Sequence, residues 1–155
     1  MSQHNSALLV LSRPVTEALL DDAALIVESI AQAHAAYLSG RAHCPPRVHM
    51  PAGRNSAFVL VMPAAVPDAA ALGAKLISVY PHNPPRGLPL HRAAVLLFEL
   101  ETGRPAALLD GEALTAARTA AAATLATQYL ARPDAAVLAL VGAGTQARAH
   151  LRLLA

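Results

Sequence analysis

The sequence predicts an α/β protein, in which a mixed α+β unit with a β-sheet is followed by the first strand, turn and helix of a second unit. Three observations predict this class. Short apolar runs are bounded by Pro and Gly, as β-strands are. The stretch Ala23–Leu38 repeats apolar residues at helical steps of three and four. A last apolar run, Ala135–Val141, ends in a glycine-rich turn and is followed by a helical segment.

The first elements follow from local signals. Ala7–Leu11 is predicted to be a short strand. The segment Ser12-Arg-Pro14 opens a helix, because proline is tolerated in a first helical turn. Ala23–Leu38 is the clearest amphipathic helix, and Gly40 behind it supplies a left-handed stop.

The middle of the chain predicts a sheet. Cys44–Arg47 should be an extended link, since proline disfavours helix in the residue before it. Three apolar runs are predicted to be strands: Ala57–Met62, Leu72–Tyr80 and Ala93–Leu100. A long proline-rich loop at 81–89 joins the last two, and a turn at 101–104 should pair Pro105–Leu109 back as a hairpin.

The last third predicts a helix and then a new unit. Leu114–Ala131 is an Ala-rich helix that ends before Pro133, and its small residues indicate close packing. Ala135–Val141 then begins another strand. We therefore divide the chain into residues 1–130 and residues 131–155.

Gly142, Gly144 and Ala147 form the pattern G-x-G-x-x-A between the predicted strand and helix. Such glycines allow a tight turn and let backbone N–H groups approach a pyrophosphate at a helix N-terminus. The pattern therefore indicates the start of a Rossmann dinucleotide-binding unit, against the alternative of an ordinary strand-to-helix turn. The predicted cofactor is NAD or NADP. The choice between them stays open, because the acidic residue that contacts the ribose of NAD follows the glycines by about 20 positions and would lie beyond Ala155.

Composition narrows the range of functions. Aromatic residues are only 3% and the basic residues are scattered, so we expect no nucleic-acid partner. No apolar run approaches the roughly 18 residues that span a membrane, and no signal peptide is evident. The single cysteine, Cys44, excludes an internal disulfide and suits the cytoplasm. The histidines lack metal-ligand spacing, so no metal site is predicted.

Lys75 lies in a predicted strand whose alternation puts it on the apolar face of Gly73, Ile77 and Val79. A lysine there is costly unless it snorkels or meets an opposite charge. We interpret it as a cation that holds a substrate carboxylate or exchanges protons. A snorkelling edge lysine is the alternative.

Two arginines indicate the same chemistry. Arg118 is predicted to sit early in a helix, where a cation opposes the dipole, so an anion should be close. That anion is either a protein carboxylate or a bound ligand. Arg47 follows two prolines that stiffen its backbone, and a rigidly presented arginine can bind a carboxylate through two hydrogen bonds. A solvated loop arginine is the alternative for Arg47.

Together these motifs resemble the ornithine cyclodeaminase/mu-crystallin family. The matching blocks occur in family order over nearly the whole chain: Pro45–Arg47, Gly73–Leu76, Asn83 with Gly87–Pro89, His91, Thr102–Gly103, Leu109–Gly111, Leu114–Ala121 and Gly142–Ala147. The resemblance implies a substrate-binding and dimerisation domain over residues 1–130 and the start of a Rossmann domain over residues 131–155.

The resemblance also implies roles for individual residues. Arg47, Lys75 and Arg118 would hold the substrate carboxylate, with Lys75 also catalytic. The dinucleotide would be contacted by Leu90, His91, Arg118, Thr119, Gly142, Gly144, Thr145 and Gln146. His91 matches the mu-crystallin-like ketimine reductases, which favours that branch over the cyclodeaminases.

The implied function is NAD(P)-dependent reduction of a cyclic imino acid, such as pyrroline-2-carboxylate or piperideine-2-carboxylate, by a cytoplasmic homodimer. Two alternatives stay open. One is an ornithine cyclodeaminase that forms proline and ammonia, and the other is a non-catalytic, mu-crystallin-like ligand-binding protein. The family's acidic catalytic residue would lie beyond Ala155, so we expect the 155 residues alone to be inactive and prone to associate.

Overall fold

The computed structural model describes residues 7–53 and 56–154, and it confirms the predicted α/β class. The strands are β1 (Leu9–Leu11), β2 (Val48–Pro51), β3 (Phe58–Val66), β4 (Ala71–Val79), β5 (His91–Phe98) and β6 (Pro105–Asp110). The helices are α1 (Arg13–Leu19), α2 (Ala23–Leu38), α3 (Gly111–Leu130) and α4 (Thr145–Leu154). Two short 3-10 turns lie at Pro67–Ala69 and Pro84–Arg86. No helix in the described ranges is long and apolar enough to cross a membrane.

The six strands form one mixed sheet in the order β1-β6-β5-β4-β3-β2. Strands β2 to β6 make an antiparallel meander, and β1 pairs parallel with β6. The turn between β5 and β6 uses Gly103 at a φ of 70°, a left-handed conformation that glycine adopts without a steric penalty. The hairpin predicted for Pro105–Leu109 is therefore confirmed.

Helix α3 packs against one face of this sheet at close range. A Cβ atom at Gly111 would stand 2.7 Å from the carbonyl carbon of Ala93 in β5, so only glycine fits there. Ala120 and Ala121, farther along the helix, are completely buried. Helices α1, α2 and α4 pack around α3 in turn. Small side chains thus set how close the helical layer comes to the sheet.

Helix α3 begins three residues earlier than the sequence predicts, at Gly111 rather than Leu114. The reason is a capping hydrogen bond, in which Asp110 Oδ1 accepts from the backbone N–H of Ala113 at 2.8 Å. Arg118 consequently lies two turns inside the helix. The helix dipole acts mainly within the first turn, so the dipole argument for an anion beside Arg118 is wrong.

The strand predicted at Ala135–Val141 is also wrong. The segment belongs to no strand, and Val137 and Val141 are almost fully exposed. A strand forms only where a neighbour supplies backbone hydrogen bonds, and none of the described strands pairs with this segment. The helix predicted behind it does form, as α4, and the division of the chain at residue 130 stays a prediction.

Strand β2 is an element that the sequence analysis missed. It is four residues long, ends in Pro51, and pairs antiparallel with β3 at the edge of the sheet. An edge strand tolerates proline because one of its sides needs no ladder partner. Such a short segment carries too weak a pattern to be recognised without its neighbour.

Candidate active site

Lys75 lies near the middle of β4, flanked by Met62 on β3 and Val95 on β5. It points to the sheet face that α3 covers, where its Nζ donates a long hydrogen bond of 3.4 Å to Thr115 Oγ1. The side chain is half-buried. The strand therefore aims an amino group at the surface of α3.

Arg118 follows Thr115 by one helical turn, so both side chains lie on the same face of α3. It lines a cavity of about 290 Å³ together with Lys75. The walls of this cavity are otherwise apolar: Met62, Ala64, Val66, Ala71, Leu72, Gly73, Ala74, Val95, Leu97 and Leu114. An apolar cavity with two cations in its wall suits a small organic anion.

Arg47 lies in the link that precedes β2. It lines a second cavity of about 330 Å³ with Pro45, Pro46 and Lys75. Neither of these two cavities is lined by both Arg47 and Arg118. Lys75 lines both, so it connects the two arginines.

The pKa of Lys75 reflects its burial and the charges of the two arginines. Burial lowers the pKa of Lys75 below its ordinary value, and the positive charges of Arg118 and Arg47 lower it further. Among the described residues, neither arginine forms an ion pair or hydrogen bond that would offset its charge. Three cations that repel one another without an acidic partner form a site that favours a bound anion.

The glycine-rich turn precedes α4. Gly142 has a φ of 105°, and a Cβ atom on either Gly142 or Gly144 would meet no atom within 4 Å. The turn therefore leaves open space beside the start of α4, where a helix N-terminus can bind an anion. Thr145 lines a cavity of about 560 Å³ beside Ala116 and Ala117, the residues directly before Arg118 in α3. Gln146 is exposed at the same helix end.

The remaining predicted cofactor residues lie outside these cavities. Leu90 and His91 are exposed where β5 begins, and the carbonyl of Leu90 accepts from the N–H of Tyr80 at 2.8 Å. Thr119 donates its hydroxyl to the carbonyl of Thr115 at 2.6 Å, within its own helix. The two cavities at Lys75 thus include the three cations but none of these three residues.

Thr115 is a site residue to which the sequence analysis assigned no role. The signal was its spacing, because residues three apart share a helix face. Its contact with Lys75 could not be read from the chain, since forty positions separate the two residues. No three His, Cys, Asp or Glu side chains of the described chain come together as a metal site.

The arrangement can be compared with known proteins. The family model described as "Ornithine cyclodeaminase/mu-crystallin family" matches residues 7–155. The chain belongs to the ornithine cyclodeaminase/mu-crystallin family. Two curated relatives in this family are reductases. Ketimine reductase mu-crystallin of Rattus norvegicus is 38% identical over 109 residues, which cover 70% of this chain and 35% of the rat protein. Delta(1)-pyrroline-2-carboxylate reductase of Bacillus cereus is 35% identical over 123 residues, which cover 79% of this chain and 38% of the Bacillus protein.

Solved structures in the family agree in fold. The Delta(1)-pyrroline-2-carboxylate reductase of Thermococcus litoralis, in complex with NADH and L-proline, has a TM-score of 0.84 at 39% identity and covers 93% of this chain and 44% of its own. The iminosuccinate reductase of Paracoccus denitrificans, in complex with NAD+, has a TM-score of 0.84 at 32% identity. The match covers 95% of this chain and 45% of the Paracoccus protein. The chain spans about a third to under a half of the length of these relatives.

Proposed function

We propose that this chain carries the carboxylate-binding site of an NAD(P)-dependent reductase that acts on cyclic imino acids, such as pyrroline-2-carboxylate or piperideine-2-carboxylate. The observation that carries the proposal is that Arg118 and Arg47 line two cavities that meet at Lys75, without an acidic partner among the described residues. The relatives named as pyrroline-2-carboxylate and ketimine reductases support it.

The substrate class follows from the shape and charge of the site. A cyclic imino acid carries its carboxylate directly beside the C=N carbon. Cations that hold the carboxylate therefore also position the imine carbon, which is bonded to it. The apolar wall of the 290 Å³ cavity suits the methylene groups of the ring. Lys75 can also donate a proton to the substrate nitrogen as it becomes an amine, because the lowered pKa makes its proton easier to release.

The chain also offers a place for the dinucleotide. Gly142 and Gly144 leave the space that a pyrophosphate needs, and the ten-residue helix α4 directs its N-terminal N–H groups into that space. When bound, NAD(P)H supplies the hydride that reduces the imine. Thr145 and Gln146 are the side chains nearest this turn in the sequence, which supports their role in holding the cofactor.

The binding step can be tested with stable ligands. We expect L-proline and pyrrole-2-carboxylate to bind the chain in isothermal titration calorimetry, whereas pyrrolidine, which has the ring but no carboxylate, should not bind measurably. Equal binding of pyrrolidine and L-proline would overturn the carboxylate site. An NAD-dependent release of ammonia from L-ornithine would assign the alternative cyclodeaminase reaction, and ligand binding without turnover at any chain length would assign the non-catalytic alternative.

We also propose that the protein is a homodimer that pairs through the sheet face opposite Lys75. This face carries no helix, and it exposes apolar side chains from three strands: Val10 on β1, Val48 and Met50 on β2, and Leu76 on β4. Contiguous exposed apolar surface of this kind is typical of a protein interface. A relative in the family, an archaeal alanine dehydrogenase with a TM-score of 0.85, is described as a dimer with bound NAD.

Leu76→Glu is expected to shift the protein from dimer to monomer, because it places a charge in the middle of this face. Analytical ultracentrifugation at several concentrations measures the shift, which should exceed a tenfold change in the dimer dissociation constant, or roughly 1.4 kcal/mol. Leu130→Glu, at the exposed end of α3, is the matched control and should leave the mass unchanged. A monomeric wild type, or an L76E variant that still dimerises, would contradict the interface.

A further inference from the structure

Lys75 is the single lysine of the chain, and its amine has a nucleophilic capacity that imine reduction does not use. The amine is half-buried, and its contact with Thr115 Oγ1 is long at 3.4 Å, so the nitrogen is weakly held. Burial, Arg118 and Arg47 lower the pKa of Lys75. A larger fraction of the amine is therefore neutral near pH 7 than in an exposed lysine, and only the neutral amine is a nucleophile.

The arginines determine which electrophile this amine would meet. Arg118 and Arg47 line the two cavities that meet at Lys75, and both can bind a carboxylate. In a 2-oxo acid, the carboxylate is bonded directly to the carbonyl carbon. An arginine that holds the carboxylate in either cavity therefore brings the carbonyl carbon towards Nζ, as productive orientation requires. Simple ketones and aldehydes lack this anchor.

We propose that Lys75 is also a covalent capture site for 2-oxo acids such as pyruvate, which it binds as an imine while Arg118 and Arg47 hold the carboxylate. The lone pair of neutral Nζ attacks the carbonyl carbon, a C–N bond forms, and the carbonyl oxygen takes up a proton to give a carbinolamine. The hydroxyl then leaves as water with a proton from nitrogen, and a C=N bond replaces the C=O bond. No oxidation or reduction takes place. The Thr115 hydroxyl is placed to pass a proton between nitrogen and oxygen.

Covalent capture rests on the same cavities as the proposed reductase reaction but requires no dinucleotide. The capture proposal and the reductase proposal can therefore be tested separately. The test is to incubate the chain with pyruvate and sodium cyanoborohydride, which reduces the imine to a stable secondary amine. Because Lys75 is the single lysine, the α-amino group of residue 1 is the other amine able to react. Intact-mass spectrometry counts the adducts, and peptide mapping locates them.

We expect one reduced pyruvate adduct per chain, on Lys75, formed at least about tenfold faster than the adduct of acetone, which has no carboxylate. K75R keeps the positive charge but removes the nucleophile, so it should give no adduct at this position. Arg118→Gln retains the lysine and should slow capture by about tenfold. Arg86→Gln replaces an exposed arginine outside both cavities and should react like the wild type.

Far-UV circular dichroism verifies that each variant is folded, and the Arg118→Gln variant tests the site even if K75R fails to fold. Labelling of the α-amino group alone, equal rates with acetone and pyruvate, or an unchanged rate in Arg118→Gln would each overturn covalent capture. If covalent capture fails but L-proline still binds, the reductase proposal is unaffected. Absence of both capture and L-proline binding would overturn the two together.

Discussion

Replacing Lys75 with methionine is expected to stabilise the fold while abolishing the binding of carboxylate ligands. Methionine keeps the length of the side chain and suits the apolar face formed by Met62 and Val95, whereas the lysine places a charge there. The positive charges of Arg118 and Arg47 destabilise the charged form of Lys75 further by repulsion. We expect a gain of about 1 kcal/mol in the free energy of unfolding at pH 7, kept small because the lysine is only half-buried.

The pH dependence follows from the same interaction. The pKa of Lys75 is lowered in the folded chain, by burial first and then by the arginines, from an unfolded value of 10.5. Between those two pKa values the unfolded chain binds more protons than the folded chain, so the free energy of unfolding rises with pH. Below the lowered pKa the destabilising contribution is fully present, and above 10.5 it is gone. The stability advantage of Lys75→Met should therefore shrink as the pH rises through this interval.

Urea denaturation of wild type and variant at a series of pH values measures both effects, and calorimetry with L-proline measures the loss of binding. Lys75→Arg is the matched control, since it keeps the charge and should not stabilise the fold. A Lys75→Met variant that is less stable than the wild type at pH 7 would show that the lysine has a compensating partner. Retained affinity for L-proline would show that the carboxylate binds elsewhere.

Arg118→Gln is expected to weaken the binding of L-proline by about tenfold to a hundredfold, because a charge-assisted hydrogen bond contributes about 1.5–3 kcal/mol. The glutamine retains a hydrogen-bond donor but removes the charge. Arg47→Gln should have an effect of similar size if one carboxylate is shared among all three cations. Arg118 is exposed and lies away from the buried residues of α3, so its replacement should leave the free energy of unfolding nearly unchanged.

Comparison of the two arginine variants decides where the ligand lies. Arg118 and Arg47 line different cavities that meet at Lys75. A loss of affinity in Arg118→Gln alone would place the ligand in the apolar cavity beside α3, and a loss in Arg47→Gln alone would place it beside the proline link. Arg86→Gln controls for the change in net charge. Unchanged affinity in both variants would contradict the carboxylate site.

Local signals were sufficient for much of the fold. Helix α2 was predicted at its observed bounds, Ala23–Leu38, because its apolar spacing and Gly40 act within the segment itself. Strand β4 and the hairpin of β5 and β6 were found within one or two residues, since alternation and turn residues are also local. The position of Lys75 on the face shared with Gly73 and Ile77 followed from the two-residue period of a strand.

Other features depended on partners that are distant in the chain. Ala135–Val141 has the composition of a strand but lacks a neighbour among the described residues, and β2 is a strand because β3 lies beside it. Similarly, the close approach of α3 to the sheet at Gly111 depends on Ala93 in β5, a contact that the sequence does not reveal. In each case backbone pairing or packing overrides the local pattern.

Charge, residue type and strand or helix period are properties of short segments, so the amino-acid sequence was enough to identify the residues that could carry the chemistry. The folded arrangement was needed to show that Lys75 contacts Thr115 and joins the cavity of Arg118 to that of Arg47, and that Leu90, His91 and Thr119 line neither cavity. The physical reason is that charges interact through space. Their effect on one another depends on how the sheet and helix bring them together and on how much water remains between them.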